Sequence, residues 1–221
     1  MGAGRSVHVA RGRLNEATVR DSALISLAAH YNAREDVGKV ANQAEALTSR
    51  DAERSLRADG IVACRMKTGG VLCAAVEATS YRTHDQVRGK QIAVAALVAV
   101  LAAVVTYLAT RSAGSVLAAV PMFLAARALL ARSTWLVRES AVERIAAYPA
   151  HERWVALPVD LLNTRYAEDV RSECRAKGIG VLRIGRSRSS TILDMPRLVR
   201  QPEDDVLARY RCAPRVLERL A

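Results

Sequence analysis

Apolar and polar residues change rhythm several times along this chain, and each change predicts an element. Residues 13–31, RLNEATVRDSALISLAAHY, place Leu14, Val19, Ala23, Leu24, Leu27 and Ala28 at roughly helical spacing, which predicts an N-terminal helix carrying Glu16 near its start. GIVACRM (60–66) and VLCAAVEAT (71–79) are short apolar runs on either side of KTGG (67–70), whose glycines suit the tight turn of a hairpin. RWVALPVD (153–160), IGVLRIG (179–185) and STILDMP (190–196) read as three more strands. Between the first two of these lies an amphipathic helix, LLNTRYAEDVRSECRAKG, ending at Gly178. The C-terminal DDVLARYRCAPRVLERLA predicts a helix broken near Pro214.

The two longest apolar runs lie in the middle. QIAVAALVAVLAAVVTYLAT, residues 91–110, holds 20 residues without a charge. That is the length a helix needs to cross about 30 Å of hydrocarbon. SVLAAVPMFLAARALLA, residues 115–131, is apolar apart from Arg127 and contains Pro121. The pattern therefore predicts a transmembrane helical hairpin over 91–132, closed by RSAG (111–114). Arg82, Arg88 and Lys90 precede it, Arg132 and Arg138 follow it, and Arg111 alone occupies the turn. The positive-inside rule then puts both termini in the cytoplasm, with the protein in the cell inner membrane and the lipid bilayer as a partner. STWLVRESAVERIAAY (133–148) reads as a continuation of the second span that docks on the rest through Trp135, Leu136, Val142, Ile145 and Ala146. Residues 1–90 and 133–221 together make one cytosolic α/β domain, a mixed central sheet flanked by helices and interrupted by the hairpin.

Composition adds a partner class. The 221 residues carry 33 Lys and Arg against 22 Asp and Glu, a net charge of +11, which favours an anionic partner such as nucleic acid or an anionic lipid surface. The four cysteines, Cys64, Cys73, Cys174 and Cys212, show no metal-ligand spacing and read as buried reduced thiols. The first 20 residues hold no apolar segment of the kind a secretory leader has, so none is expected. Walker-type loops, nucleophile elbows and internal repeats are absent from the sequence.

The chemistry concentrates at the hairpin. Folding 60–66 onto 71–79 about KTGG brings Asp59, just before the first run, opposite Glu77, near the end of the second. Two carboxylates so placed repel each other unless a divalent cation lies between them, the arrangement used by Mg²⁺-dependent phosphodiester hydrolysis. The alternative is a turn aspartate and a solvated strand-end glutamate. RIGRSRSS (183–190) sets Arg183, Arg186 and Arg188 in a polar turn able to grip phosphate or simply to sit in solvent. The histidines show no ligand spacing.

These features resemble the restriction-endonuclease-like, or PD-(D/E)XK, nuclease superfamily. The motif is an acid opening one core strand, then an acid, any residue and a lysine closing the next; here it reads Asp59 and Glu77-Ala78-Thr79. WVALP and AKGIGVLRIG are similar to the elements that close the sheet in many members. The resemblance implies a metal, Mg²⁺ or Mn²⁺, on Asp59, Glu77 and the carbonyl of Ala78, with Glu16 as a further acid from the first helix. Gln86 and Lys90, four apart on a helical face, are similar to the Gln-bearing helix of Mrr-like and RecB-like branches. Thr79 stands where the family has its lysine, so a cation must come from elsewhere, Lys90 being the first candidate and Lys67, at the hairpin tip, a poorer one.

Three functions follow as expectations. The first is a membrane-anchored nuclease that hydrolyses DNA at the cytoplasmic face, serving defence against incoming DNA in a bacterium. The second keeps the fold and loses the chemistry, leaving a tether or scaffold for DNA or a protein partner. The third is an oligomerising membrane effector built on the small-residue stripe of Ala95, Ala99 and Ala103.

Overall fold

The computed structural model describes residues 14–48, 57–111, 119–132, 141–199 and 205–221. Along the chain lie helix α1 (Glu16–Asn32), strands β1 (Val37–Leu47), β2 (Arg57–Met66) and β3 (Val71–Ala78), and helices α2 (Tyr81–Thr110), α3 (Ala119–Arg132) and α4 (Glu143–Ala147). After these come β4 (Glu152–Pro158), a 3₁₀ turn (Val159–Leu161), α5 (Arg165–Ala176), β5 (Gly180–Ile184) and β6 (Ser190–Asp194), then a second 3₁₀ turn (Leu207–Arg209) and α6 (Ala213–Leu220). The six strands form one sheet in the order β1-β2-β3-β4-β5-β6. β3, β4 and β5 run parallel, and the outer pairs are antiparallel. The carboxyl ends of β3, β4 and β5, and the start of β2, therefore share one edge.

Both faces of the sheet are covered, which is why its central strands are apolar at consecutive positions rather than at alternate ones. On one face α1 packs Val19, Ala23, Leu24, Leu27 and Tyr31 against Val62, Cys64, Ala74, Val76, Trp154 and Ala156. On the other, Ile145 of α4, Val170 and Cys174 of α5 and Val216 and Leu220 of α6 pack against Ile61, Ala63, Cys73, Ala75, Val155 and Val181. Asn15 caps α1 by accepting the Thr18 N–H at 2.7 Å. The Trp154 indole donates to Tyr31 Oη at 2.9 Å, tying α1 to β4.

The β2–β3 hairpin forms as its glycines predict. Gly69 and Gly70 take φ of 97° and 78°, left-handed values that cost glycine nothing. β4, β5, β6, the helix after β4 and the broken C-terminal helix also match their patterns. Cys64, Cys73 and Cys174 are buried thiols and Cys212 is half-buried. β1 has no counterpart in the sequence reading. VGKVANQAEAL is rich in Ala, Asn, Gln and Glu, which favour strands poorly, and it is a strand because β2 offers it a ladder from Val37↔Met66 to Leu47↔Arg57.

The membrane expectation is corrected. Among the described residues no helix is long and apolar enough to cross a membrane. α3 has 14 residues, a rise of about 21 Å against about 30 Å of hydrocarbon. α2 has 30 residues, but the sequence of its first third contains Arg82, Asp85, Arg88 and Lys90. Its described side chains beyond them run from Ile92 to Leu108, about 25 Å. The two spans at 91–110 and 115–131, and the inner-membrane location built on them, are not supported. α2 instead packs against α3, and Ala95 and Ala99 are buried within this single chain. Leu97, Val100, Leu101, Val104, Val105 and Leu108 are exposed. Of the expected docking segment, Val142 and Ile145 are fully buried, while Trp135 and Leu136 lie outside the described residues.

Candidate functional site

The last paired positions of the hairpin are Gly60 and Val76. One residue further along each strand, Asp59 and Glu77 come together at the shared sheet edge. The Ala78 N–H donates to Asp59 Oδ2 at 2.7 Å, so the aspartate is latched to the backbone next to Glu77. Gly60, next to Asp59, lets α1 lie close on the sheet at this point. A Cβ there would lie 2.7 Å and 2.8 Å from the two methyls of Leu24 on α1.

Glu77 is not a solvated strand end: its side chain is 3% exposed. Both of its oxygens are taken by groups that the sequence did not single out. Arg144 of α4 donates from Nε to Oε1 at 2.7 Å, and its Nη2 closes an ion pair with the same oxygen. Tyr148, one residue past α4, donates its hydroxyl to Oε2 at 3.1 Å. Burial raises the Glu77 pKa, the nearby Asp59 charge raises it further, and Arg144 and Tyr148 pull it partly back, leaving it at about 7. Asp59 is also raised, first by burial, against the lowering bond from Ala78, with the Glu16 charge adding to the rise. Burial and the adjoining Glu77 push the Tyr148 phenol up, so it remains a donor. The signal for this pair was the four-residue spacing of Arg144 and Tyr148 beside the inward Ile145, recognisable only once the segment is known to cross the sheet over Glu77.

The other expected residues divide. Glu16 opens α1 and accepts a 3.3 Å bond from the Ser80 hydroxyl, close enough for its charge to bear on Asp59. Thr79 is fully buried, and its hydroxyl donates to the Ala156 carbonyl at 3.0 Å, so it serves β4 rather than the acid pair. Ala78 contributes its N–H. Gln86 and Lys90 lie on α2, with side chains outside the described residues. Lys67 lies in the hairpin turn, at the opposite end of β2 and β3 from the acid pair.

Where the resemblance implies a divalent metal, Glu77 is engaged by Arg144 and Tyr148. Among the described residues no group of three or more His, Cys, Asp or Glu is placed to hold a metal ion. The positive charge that would reconcile Asp59 and Glu77 is already supplied by the Arg144 guanidinium. A cation on Glu77 would compete with both of its donors.

Along the same edge, the ends of β4 and β5 frame a cleft of about 620 Å³ lined by Asp160, Asn163, Arg183, Arg186, Ser187 and Ser189, among others. This is where ligands bind in open α/β sheets, beyond the carboxyl ends of parallel strands. Arg186 donates from Nε and Nη2 to Asp160 Oδ1 at 2.8 Å and 2.6 Å. Arg183 and Arg188 are exposed and make no ion pair among the described residues. Two of the three expected arginines thus line one cleft, and Arg188 belongs to the turn beside it. Comparison of the chain with models of known protein families, with curated proteins and with solved structures gives no match.

Proposed function

We propose that this chain is a nuclease-fold protein that grips the phosphate backbone of DNA without cutting it. The observation that carries the reading is the closure of Glu77: Arg144 and Tyr148 hold both carboxylate oxygens, where a hydrolytic centre would leave them to a metal. Thr79 reinforces it, since the position that should bring a cation to the scissile phosphate is spent on a bond to β4. DNA is favoured as partner by the net charge of +11 and by arginines gathered at the edge that also holds the acid pair.

The test pairs two measurements on the full chain: anisotropy of a labelled duplex across a salt series, and plasmid nicking in Mg²⁺ or Mn²⁺. Salt-sensitive binding with intact plasmid is expected. Metal-dependent nicking that Glu77→Ala abolishes would establish hydrolysis, a second reading favoured by Asp59 standing beside Glu77 with its carboxylate held to the Ala78 N–H. Absence of binding at low salt would remove DNA as the partner.

A further inference from the structure

The cleft between β4 and β5 has a volume typical of a small-ligand site, and its lining is mostly polar. Its chemistry is specific. Asp160, whose side chain is 8% exposed, holds Arg186 through two bonds to a single oxygen. That grip fixes the guanidinium plane and uses two of its five N–H donors, leaving the others for a ligand. Arg183 stands on the adjoining strand with no ion pair among the described residues. The turn above them is braced by the Gly185 N–H donating to the Ser189 carbonyl at 2.7 Å and the Arg188 N–H donating to the Gly185 carbonyl at 3.0 Å. This presents Ser187 and Ser189 at the rim, the Ser187 hydroxyl donating to the Ser189 hydroxyl at 3.1 Å and leaving the Ser189 O–H for a ligand. Two guanidinia, the Ser189 hydroxyl and the Asn163 amide thus line one open cleft.

We infer that this cleft takes a phosphomonoester, the terminal phosphate of a nucleic-acid strand. A monoester carries nearly two charges and three free oxygens, which matches a donor set of this size. A diester, with one charge and two free oxygens, would leave part of the set unused. Asp160 is then a positioning residue that aims Arg186. The inference rests on the nucleic-acid reading above for the identity of the phosphate carrier.

The experiment compares oligonucleotides of one sequence bearing a 5′-phosphate, a 3′-phosphate or hydroxyls at both ends, by anisotropy with the full chain. One phosphorylated form is expected to bind about tenfold tighter than the hydroxyl form, the effect of one charge-assisted contact. Arg183→Ala should erase the preference by weakening the phosphorylated form more than the hydroxyl form, and Asp160→Asn should reduce it. Equal binding of all three forms by wild type overturns the terminal-phosphate site and leaves the DNA reading standing. If no oligonucleotide binds, the DNA reading falls, and inorganic phosphate and a nucleoside 5′-monophosphate decide the cleft. A Tm rise that Arg183→Ala removes supports it, and no rise overturns it.

Discussion

The Arg144 guanidinium sits on the Glu77 carboxylate, Nε to Oε1 at 2.7 Å, across 67 residues of sequence and from a five-residue helix to a central strand. Arg144 is half-exposed while Glu77 is buried, so a solvent-facing cation neutralises an interior acid. Asp59, beside them, makes the neutralisation necessary.

Removing that cation leaves Glu77 buried with only the Tyr148 hydroxyl. Arg144→Ala should destabilise the fold by about 1–3 kcal/mol where Glu77 is ionised, because one partner of a buried pair is lost. Denaturant titration checks this. Below about pH 7 the loss should shrink, since the folded Glu77 carboxyl is then protonated.

The same variant tests the closed centre. Millimolar Mn²⁺ should raise the Tm of Arg144→Ala, where the acid pair has lost its counter-charge, and leave wild type unchanged. An equal rise in wild type would show that the centre admits metal with Arg144 in place.

Glu77 links stability to pH. Its folded pKa of about 7 lies above the usual 4.5, so between those values the native state holds a proton that the unfolded chain has released. Stability from this group is therefore full below about 4.5 and falls as pH rises to about 7. The drop is at most about 3 kcal/mol. Glu77→Gln should remove this component, which appears as a difference between the two stability profiles over that window. Parallel profiles would contradict the raised pKa.

The arginines near the end of β5 and in the β5–β6 turn should act as phosphate contacts. Arg183→Ala and Arg188→Ala should each weaken duplex binding for any sequence and reduce the slope of log affinity against log salt by about 1. An unchanged slope in both would place the DNA elsewhere.

Gly60→Ala would put a methyl 2.7 Å from a Leu24 methyl in the layer between α1 and the sheet. Leu24 is 5% exposed and has little room to yield, so a loss of about 1–3 kcal/mol is expected. Thermal denaturation measures it.

Much of the fold was legible because its signals are local. The glycines at 69 and 70 predict a turn, the apolar runs of β3, β4 and β5 predict a sheet covered on both faces, and hairpin arithmetic alone brings Asp59 to Glu77. β1 was not legible, because its polar and alanine-rich strand is defined by its partner. The apolar runs at 91–131 were legible as helices, but their length in structure and the packing of α2 on α3 were set by where the helices begin and end.

What the sequence determined by itself is the pair of acids and the sheet that carries them. What only tertiary structure decided is the state of that pair. Arg144 and Tyr148 reach Glu77 because α4 crosses the sheet face, and Thr79 turns to the Ala156 carbonyl because β4 lies beside β3. Arg186 meets Asp160 because β4 and β5 end together at one edge. Each is a contact between residues distant in sequence. A motif records which groups are present, whereas the charge and access of a buried carboxylate depend on the neighbours the fold brings to it.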